Sequence, residues 1–155
     1  MRTCLSAIIA AAVLTLAAAP ALRAETSPLA EGKALYEKTC ASCHTLERSL
    51  AKKADKAGWE GTIKKMIANG AKLEESQSGQ ILGYLAAKSA FETRCNTCHD
   101  LQRPLAAIKN PEQWQATVAR MAAMKPGPIT DADAGAITLY LSLVTPVKPA
   151  APAAK

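Results

Sequence analysis

The chain has 155 residues and a formal charge of +6 at pH 7, from 19 Lys and Arg against 13 Asp and Glu. This length suits one domain of ordinary size or two very small ones, but aromatic residues make up only 4% of the chain, too few to fill two cores with side chains alone. Beyond residue 24 no apolar run is long enough to span a membrane, which excludes a polytopic membrane protein.

Residues 1–24 have the layout of a secretory signal peptide. Arg2 provides a short positive region, residues 5–19 are apolar, and small residues lead to a cleavage site after Ala24. The apolar stretch is shorter than a full membrane span, so a cleaved signal is favoured over a retained anchor. Cleavage would remove Cys4 and leave four cysteines. We therefore expect an exported, periplasmic protein without a stable membrane span.

The next segments predict helices. Tyr36 and Phe91 each lie four residues before a cysteine, one turn away on a helix that runs into that cysteine. Asp55, Asn110 and Thr130 are N-cap residues at the predicted starts of three further helices, and a proline suited to the first helical position follows Asn110.

The helix after Thr130 has a counterpart over residues 75–87. In the segment before residues 75–87, apolar residues recur at helical spacing, at Trp59, Ile63 and Met66. Residues 145–155 are rich in Pro, Ala and Lys and predict a disordered tail. The pattern as a whole is all-α.

The four remaining cysteines and both histidines form two Cys-x-x-Cys-His motifs, at Cys40, Cys43 and His44 and at Cys95, Cys98 and His99. This motif attaches c-type haem, because two thiols one helical turn apart can reach the porphyrin vinyl groups while the histidine reaches the iron. A zinc site would need distant pairs to converge, a thioredoxin-like pair would lie beside a βαβ pattern, and disulfides leave the histidines unexplained. We predict two covalent haem c groups.

The two motifs belong to an internal repeat. A shift of 55 residues also aligns Glu37 with Glu92, Arg48 with Arg103, Trp59 with Trp114 and Met66 with Met121. The repeat predicts two domains, which we call the first copy (25–87) and the second copy (88–144). Each is so short that side-chain burial would barely stabilise it, and a covalently held porphyrin would supply the missing apolar volume.

These features resemble the class I cytochrome c family. A short helix, Cys-x-x-Cys-His, a loop and a closing helix ending in Tyr-Leu occur twice. The Cys-His-x-Leu-x-Arg run, followed by Trp and then Met, is similar to haem subunits and haem domains of periplasmic dehydrogenases. The resemblance implies two tandem cytochrome c-like domains, each around one covalent haem, and electron transfer as the activity.

The sequence leaves the identity of the sixth ligand of each iron undecided. No histidine remains once His44 and His99 bind the two irons, and the chain after the signal peptide has three methionines, Met66, Met121 and Met124. Met66 and Met121 occupy equivalent positions and are the predicted ligands, with Met124 as the reserve. Thioether ligation raises the haem potential, which suits an acceptor from a dehydrogenase. The alternative is that both are core residues on an amphipathic helix.

Two further residue pairs of the repeat are candidate haem contacts. The guanidinium groups of Arg48 and Arg103 match the propionate carboxylates of a haem, although exposed loop arginines explain the pair equally well. Trp59 and Trp114 are expected to pack against the porphyrin rather than relay electrons.

We therefore expect an electron-transfer protein rather than an enzyme. It would pass single electrons from a periplasmic redox protein or dehydrogenase subunit to another cytochrome, a cupredoxin or an oxidase. The alternatives are a catalytic dihaem oxidoreductase, acting as a peroxidase or in thiosulfate oxidation, and a haem gas sensor with five-coordinate iron. Both need an open iron site, and no His or Cys is left over to assist catalysis. Nothing in the sequence indicates nucleic-acid binding.

Overall fold

The computed structural model describes residues 27–147, so the predicted signal peptide and the end of the predicted tail lie outside the described residues. Within 27–147 the fold is all-helical and contains no strand, as the sequence predicts. The helices of this range are α1 (Pro28–Cys40), α2 (Glu47–Leu50), α3 (Lys56–Ala68), α4 (Glu75–Cys95), α5 (Gln102–Leu105), α6 (Pro111–Met124) and α7 (Asp131–Val144). None of them is long and apolar enough to cross a membrane.

The predicted helix starts are confirmed by their capping hydrogen bonds. The side chain of Asp55 accepts a hydrogen bond from a backbone N–H in the first turn of α3, at 2.8 Å. Asn110 and Thr130 do the same for α6 and α7, at 2.9 Å and 3.1 Å. Each cap supplies a partner for an N–H that the helix itself cannot pair.

Helix α4 is longer than its predicted counterpart over residues 75–87. It begins after a capping box formed by Glu74 and Gln77 and continues without a break to Cys95, so it runs through the predicted boundary between residues 87 and 88. It packs against α1, α3 and α7. The closing helix of the first copy and the opening helix of the second copy are therefore one continuous rod.

The crossing of α1 and α4 requires a glycine. A Cβ atom on Gly32 would lie 2.1 Å from the carbonyl oxygen of Gln80, a distance that no side chain can occupy. One turn along α1, the ring of Tyr36 lies 5.7 Å from that of Tyr84, measured between centroids. Because Gly32 has no side chain, α1 and α4 approach closely enough for the rings of Tyr36 and Tyr84 to pack one turn further along.

A chain of aromatic rings crosses the core from one copy to the other. Beyond the Tyr36–Tyr84 contact, Tyr84 lies 6.2 Å from Tyr140, and Tyr140 lies 5.4 Å from Phe91. All four residues belong to a single cluster of buried side chains that also contains both tryptophans. The two copies thus share one hydrophobic core.

The chain remains packed beyond the end of α7. Thr145 is buried, and its hydroxyl accepts a hydrogen bond from the indole N–H of Trp114. The carbonyl of Pro146 accepts a hydrogen bond from the backbone N–H of Lys109, at 3.3 Å. The first residues of the segment predicted as a tail therefore contact the core, while residues 148–155 lie outside the described residues.

Candidate haem-attachment sites

Both Cys-x-x-Cys-His motifs lie at the C-terminal end of a long helix. Cys40 is the last residue of α1 and Cys95 the last residue of α4, and in both cases a turn of the same backbone form carries the chain to the second cysteine. The first cysteine of each motif is half-buried, whereas Cys43 and Cys98 are exposed. The repeat seen in the sequence is therefore also a repeat of local structure.

All four cysteines of the described residues are free thiols. Burial raises the pKa of the Cys40 thiol, and burial together with the neighbouring Cys98 raises the pKa of the Cys95 thiol to about 11. Both half-buried sulfur atoms are thus neutral thiols at neutral pH. The spacing of three residues after a helix end leaves each pair available for two thioether bonds on one edge of a porphyrin.

The two histidines are oriented in the same way by the backbone. Nδ1 of His44 lies 2.9 Å from the carbonyl oxygen of Thr45, and Nδ1 of His99 lies 2.9 Å from the carbonyl oxygen of Asp100. A carbonyl can only accept, so Nδ1 carries the proton and Nε2 keeps its lone pair. Metal-binding histidines commonly have this arrangement, in which the second ring nitrogen donates to a carbonyl and fixes the ring.

These residues fit a covalently attached haem. Each site offers two free thiols, an imidazole with an available Nε2 and a buried aromatic residue one turn before the first cysteine. Among residues 27–147, no three His, Cys, Asp or Glu side chains converge as a metal cluster, so the two motifs are not brought together into one site.

The two tryptophans are buried at equivalent positions on α3 and α6. Each ring is 1% exposed, and each indole N–H donates to a hydroxyl: Trp59 to Ser89 at 2.7 Å and Trp114 to Thr145 at 2.9 Å. The two acceptors are themselves 56 residues apart, so this hydrogen bond is part of the repeat. Each tryptophan thereby ties its helix to a residue just beyond the boundary of its own copy, Ser89 within α4 and Thr145 after α7.

The methionines differ in exposure. Met66 and Met121 are half-buried, and each lies seven residues after the buried tryptophan of its helix, on the same face. Met124 is 71% exposed at the last residue of α6. After Met66 the chain reverses at Gly70, whose φ of 102° favours glycine, while the Met66 carbonyl accepts from the N–H of Ala71.

The predicted propionate-binding arginines lie on the two short helices. Arg48 belongs to α2 and Arg103 to α5, and both side chains are exposed. Neither forms a salt bridge with another residue of the range 27–147. The structure places them at equivalent points, four residues after each histidine.

A family model described as "Cytochrome C oxidase, cbb3-type, subunit III" matches residues 27–80. This segment is about a third of the chain and contains the first Cys-x-x-Cys-His motif. The match supports a c-type cytochrome. It also supports a covalently bound haem c and electron transfer as the activity. No curated protein and no solved structure matches the chain.

A largely buried ion pair near the second motif was not predicted from the sequence. On α4, Lys88 Nζ lies 2.6 Å from Glu92 Oε1, with side chains only 10% and 19% exposed. Lys88 also donates to the carbonyl of Leu50 in the first copy, at 3.2 Å. The equivalent pair, Lys33 and Glu37, has the same separation but is exposed on α1. The repeat aligns both pairs, so the spacing was visible in the sequence and the burial was not.

A second missed feature distinguishes the two sites. The hydroxyls of Tyr36 and Ser49 lie 2.6 Å apart, and Ser49 donates its hydrogen to the carbonyl of Leu46, at 2.8 Å. The phenol of Tyr36 is therefore the donor to Ser49. At the equivalent positions the second copy has Phe91 and Pro104, which carry no hydroxyl.

Proposed function

We propose that the protein is a periplasmic dihaem c-type cytochrome that transfers single electrons from a dehydrogenase partner to a downstream acceptor, as a free carrier or as a haem subunit. The observation that carries this proposal is the repetition of one attachment site. Two Cys-x-x-Cys-His motifs follow the ends of α1 and α4 with the same turn and the same histidine hydrogen bond. One such site is the hallmark of a haem c, and the second has the same construction.

The proposed roles follow from the position of each residue. Cys40 and Cys43 hold one haem and Cys95 and Cys98 the other, while His44 and His99 present Nε2 to the iron. A bound haem supplies a one-electron couple at its iron.

Met66 and Met121 are the proposed sixth ligands. Both are half-buried and extend the buried faces of α3 and α6, whereas Met124, at the last residue of α6, is 71% exposed. A methionine ligand favours the ferrous state and so gives the high potential that an electron acceptor needs. Arg48 and Arg103, exposed after each histidine, are the proposed partners of the propionates.

The surface of the first copy favours an acidic redox partner. Five exposed lysines lie on α3 and on the loop before it: Lys52, Lys53, Lys56, Lys64 and Lys65. A basic surface next to a redox site raises the rate of encounter with an acidic partner and orients it. Another cytochrome, a cupredoxin or an oxidase is the proposed acceptor. The family description names an oxidase, which makes an oxidase the acceptor to test first.

The first experiment measures haem attachment. The full chain is exported in a host with working haem c maturation, and the intact mass is measured after denaturation. We expect two added haems, and one in each of the paired variants Cys40→Ala/Cys43→Ala and Cys95→Ala/Cys98→Ala. A native protein without retained haem would refute the proposal.

The second experiment separates electron transfer from the two alternatives. Near-infrared and EPR spectra of the oxidised protein should show methionine ligation at both irons, and the reduced protein should not bind CO. Met66→Ala and Met121→Ala should each abolish one ligand signature, while the exposed Met124→Ala serves as the matched control. High-spin ferric iron or CO binding by the native protein would favour a catalytic enzyme or a gas sensor instead.

A further inference from the structure

The hydrogen bonds around the first motif have no counterpart at the second. We call the path from the Tyr36 phenol through the Ser49 hydroxyl to the Leu46 carbonyl the hydroxyl chain. Tyr36 lies one turn before Cys40, and Leu46 lies two residues after His44. The hydroxyl chain therefore joins the helix that enters the attachment site to the loop that leaves it.

The second copy replaces both hydroxyl-bearing residues at once. Phe91 stands where the first copy has Tyr36, and Pro104 stands where it has Ser49. Phe91 is 1% exposed, as Tyr36 is, so the two rings fill equivalent buried places with different polarity. A lone tyrosine hydroxyl buried against a proline would lack its partner, and a lone serine beside a phenylalanine would lack its donor. The two exchanges are therefore complementary.

Polarity next to a haem affects its two oxidation states unequally. The ferric site carries one more positive charge than the ferrous site, so nearby polar groups and a higher local dielectric stabilise the ferric state. At two equivalent positions the first site has the phenol of the buried Tyr36 and the half-buried hydroxyl of Ser49, where the second has the apolar side chains of Phe91 and Pro104. The ion pair of Lys88 and Glu92, also near the second site, joins one positive and one negative group and so adds no net charge.

We propose that the hydroxyl chain makes the two haem sites unequal, and that the first site has the lower reduction potential. This inference rests on the proposed function, since it requires a haem at each motif. In a half-reduced molecule the electron would then reside mainly in the second copy. Electrons would then enter at the first copy and leave from the second copy.

The test measures both reduction potentials by spectroelectrochemical titration of the full chain with both haems attached. Tyr36→Phe and Ser49→Ala should each raise the lower potential and leave the higher one unchanged. The reverse exchange, Phe91→Tyr together with Pro104→Ser, is the matched control and should lower the higher potential. Each exchange at positions 36, 91 and 104 introduces a residue that the other copy already has there, so folding is retained, which circular dichroism checks.

The expected size follows from the net value of one hydrogen bond. Loss of the Tyr36 hydroxyl should change the partition of the electron between the two sites by about threefold to tenfold. A tenfold change corresponds to about 59 mV for a one-electron couple. Two equal potentials, no shift in either variant, or a shift of the higher potential by Tyr36→Phe would overturn the inference. Such results with two haems attached would leave the proposed function standing, whereas failure of haem attachment would remove both.

Discussion

Replacing Lys88 tests whether α4 binds the two copies together through buried charge. Its ammonium group lies 2.6 Å from Glu92 Oε1 and 3.2 Å from the Leu50 carbonyl, with the side chain 10% exposed. The other oxygen of Glu92, Oε2, is buried and has no hydrogen-bond partner within the described residues. Lys88→Met keeps the length of the side chain but leaves the carboxylate buried without its cation. Breaking such a pair on one side costs about 3–5 kcal/mol.

The chain contains its own control for this variant. Lys33 and Glu37 have the same 2.6 Å separation at the equivalent place on α1, but their side chains are 36% and 49% exposed. Exposed pairs of this kind contribute about 0–1 kcal/mol, so Lys33→Met should have little effect. The double variant Lys88→Met/Glu92→Leu removes both charges and should recover most of the stability lost in Lys88→Met, because no buried carboxylate then remains.

Urea unfolding of the full chain with its haems attached measures these differences. Circular dichroism follows the transition, and the slope of the unfolding free energy against urea concentration is compared between variants. The reasoning is refuted if Lys33→Met costs as much as Lys88→Met, or if the double variant is no more stable than Lys88→Met. Either result would mean that burial of the pair does not set its contribution.

Three other changes have definite expected outcomes. Gly32→Ala would place a Cβ 2.1 Å from a carbonyl oxygen of α4 and should destabilise the protein by about 1–3 kcal/mol in urea unfolding. The control Gly61→Ala, in an open part of α3, should stabilise it by about 0.5–1 kcal/mol. Equal effects of the two substitutions would contradict the close crossing of α1 and α4. Ser89→Ala leaves the buried N–H of Trp59 without its acceptor and should cost about 1–3 kcal/mol by the same measurement, and a neutral result would show that the hydrogen bond is not needed. Burial and the nearby Glu92 raise the pKa of Tyr140 to about 12 from 10, so the folded state retains this proton longer than the unfolded state. The contribution of Tyr140 to the free energy of unfolding should therefore be complete below pH 10 and be lost as the pH rises through 12. The unfolding free energy of Tyr140→Phe should fall less steeply over this range, and identical pH profiles of the two proteins would contradict the prediction.

Local signals in the sequence account for much of the fold. The helix starts at Asp55, Asn110 and Thr130 depend on contacts within one turn, so the residue types alone predict them. The attachment motifs are local in the same sense. Their equivalent positions at the ends of α1 and α4 follow from the repeat, since equal spacing from the preceding aromatic residue gives equal helix phase.

Features that depend on contact between the copies could not be read in this way. The alignment of the copies suggests a boundary at residue 87, yet no Gly or Pro follows Gly83 before Cys95, and the helix continues. Lys88 donates to the carbonyl of Leu50 at the end of α2, a contact that exists because α4 continues beside the first copy. Thr145 looks like the start of a polar tail until the indole of Trp114 is found donating to it. For Lys88 and Thr145 the partner lies more than thirty residues away in sequence.

Because α4 belongs to both copies, neither copy can be removed without loss of packing in the other. Its 21 residues pack against α1 and α3 of the first copy and against α7 of the second copy, and they end at the first cysteine of the second motif. Excising either repeat as a separate gene product would strip its sibling of a supporting surface, leaving Trp59 or Phe91 without the neighbours that shield it.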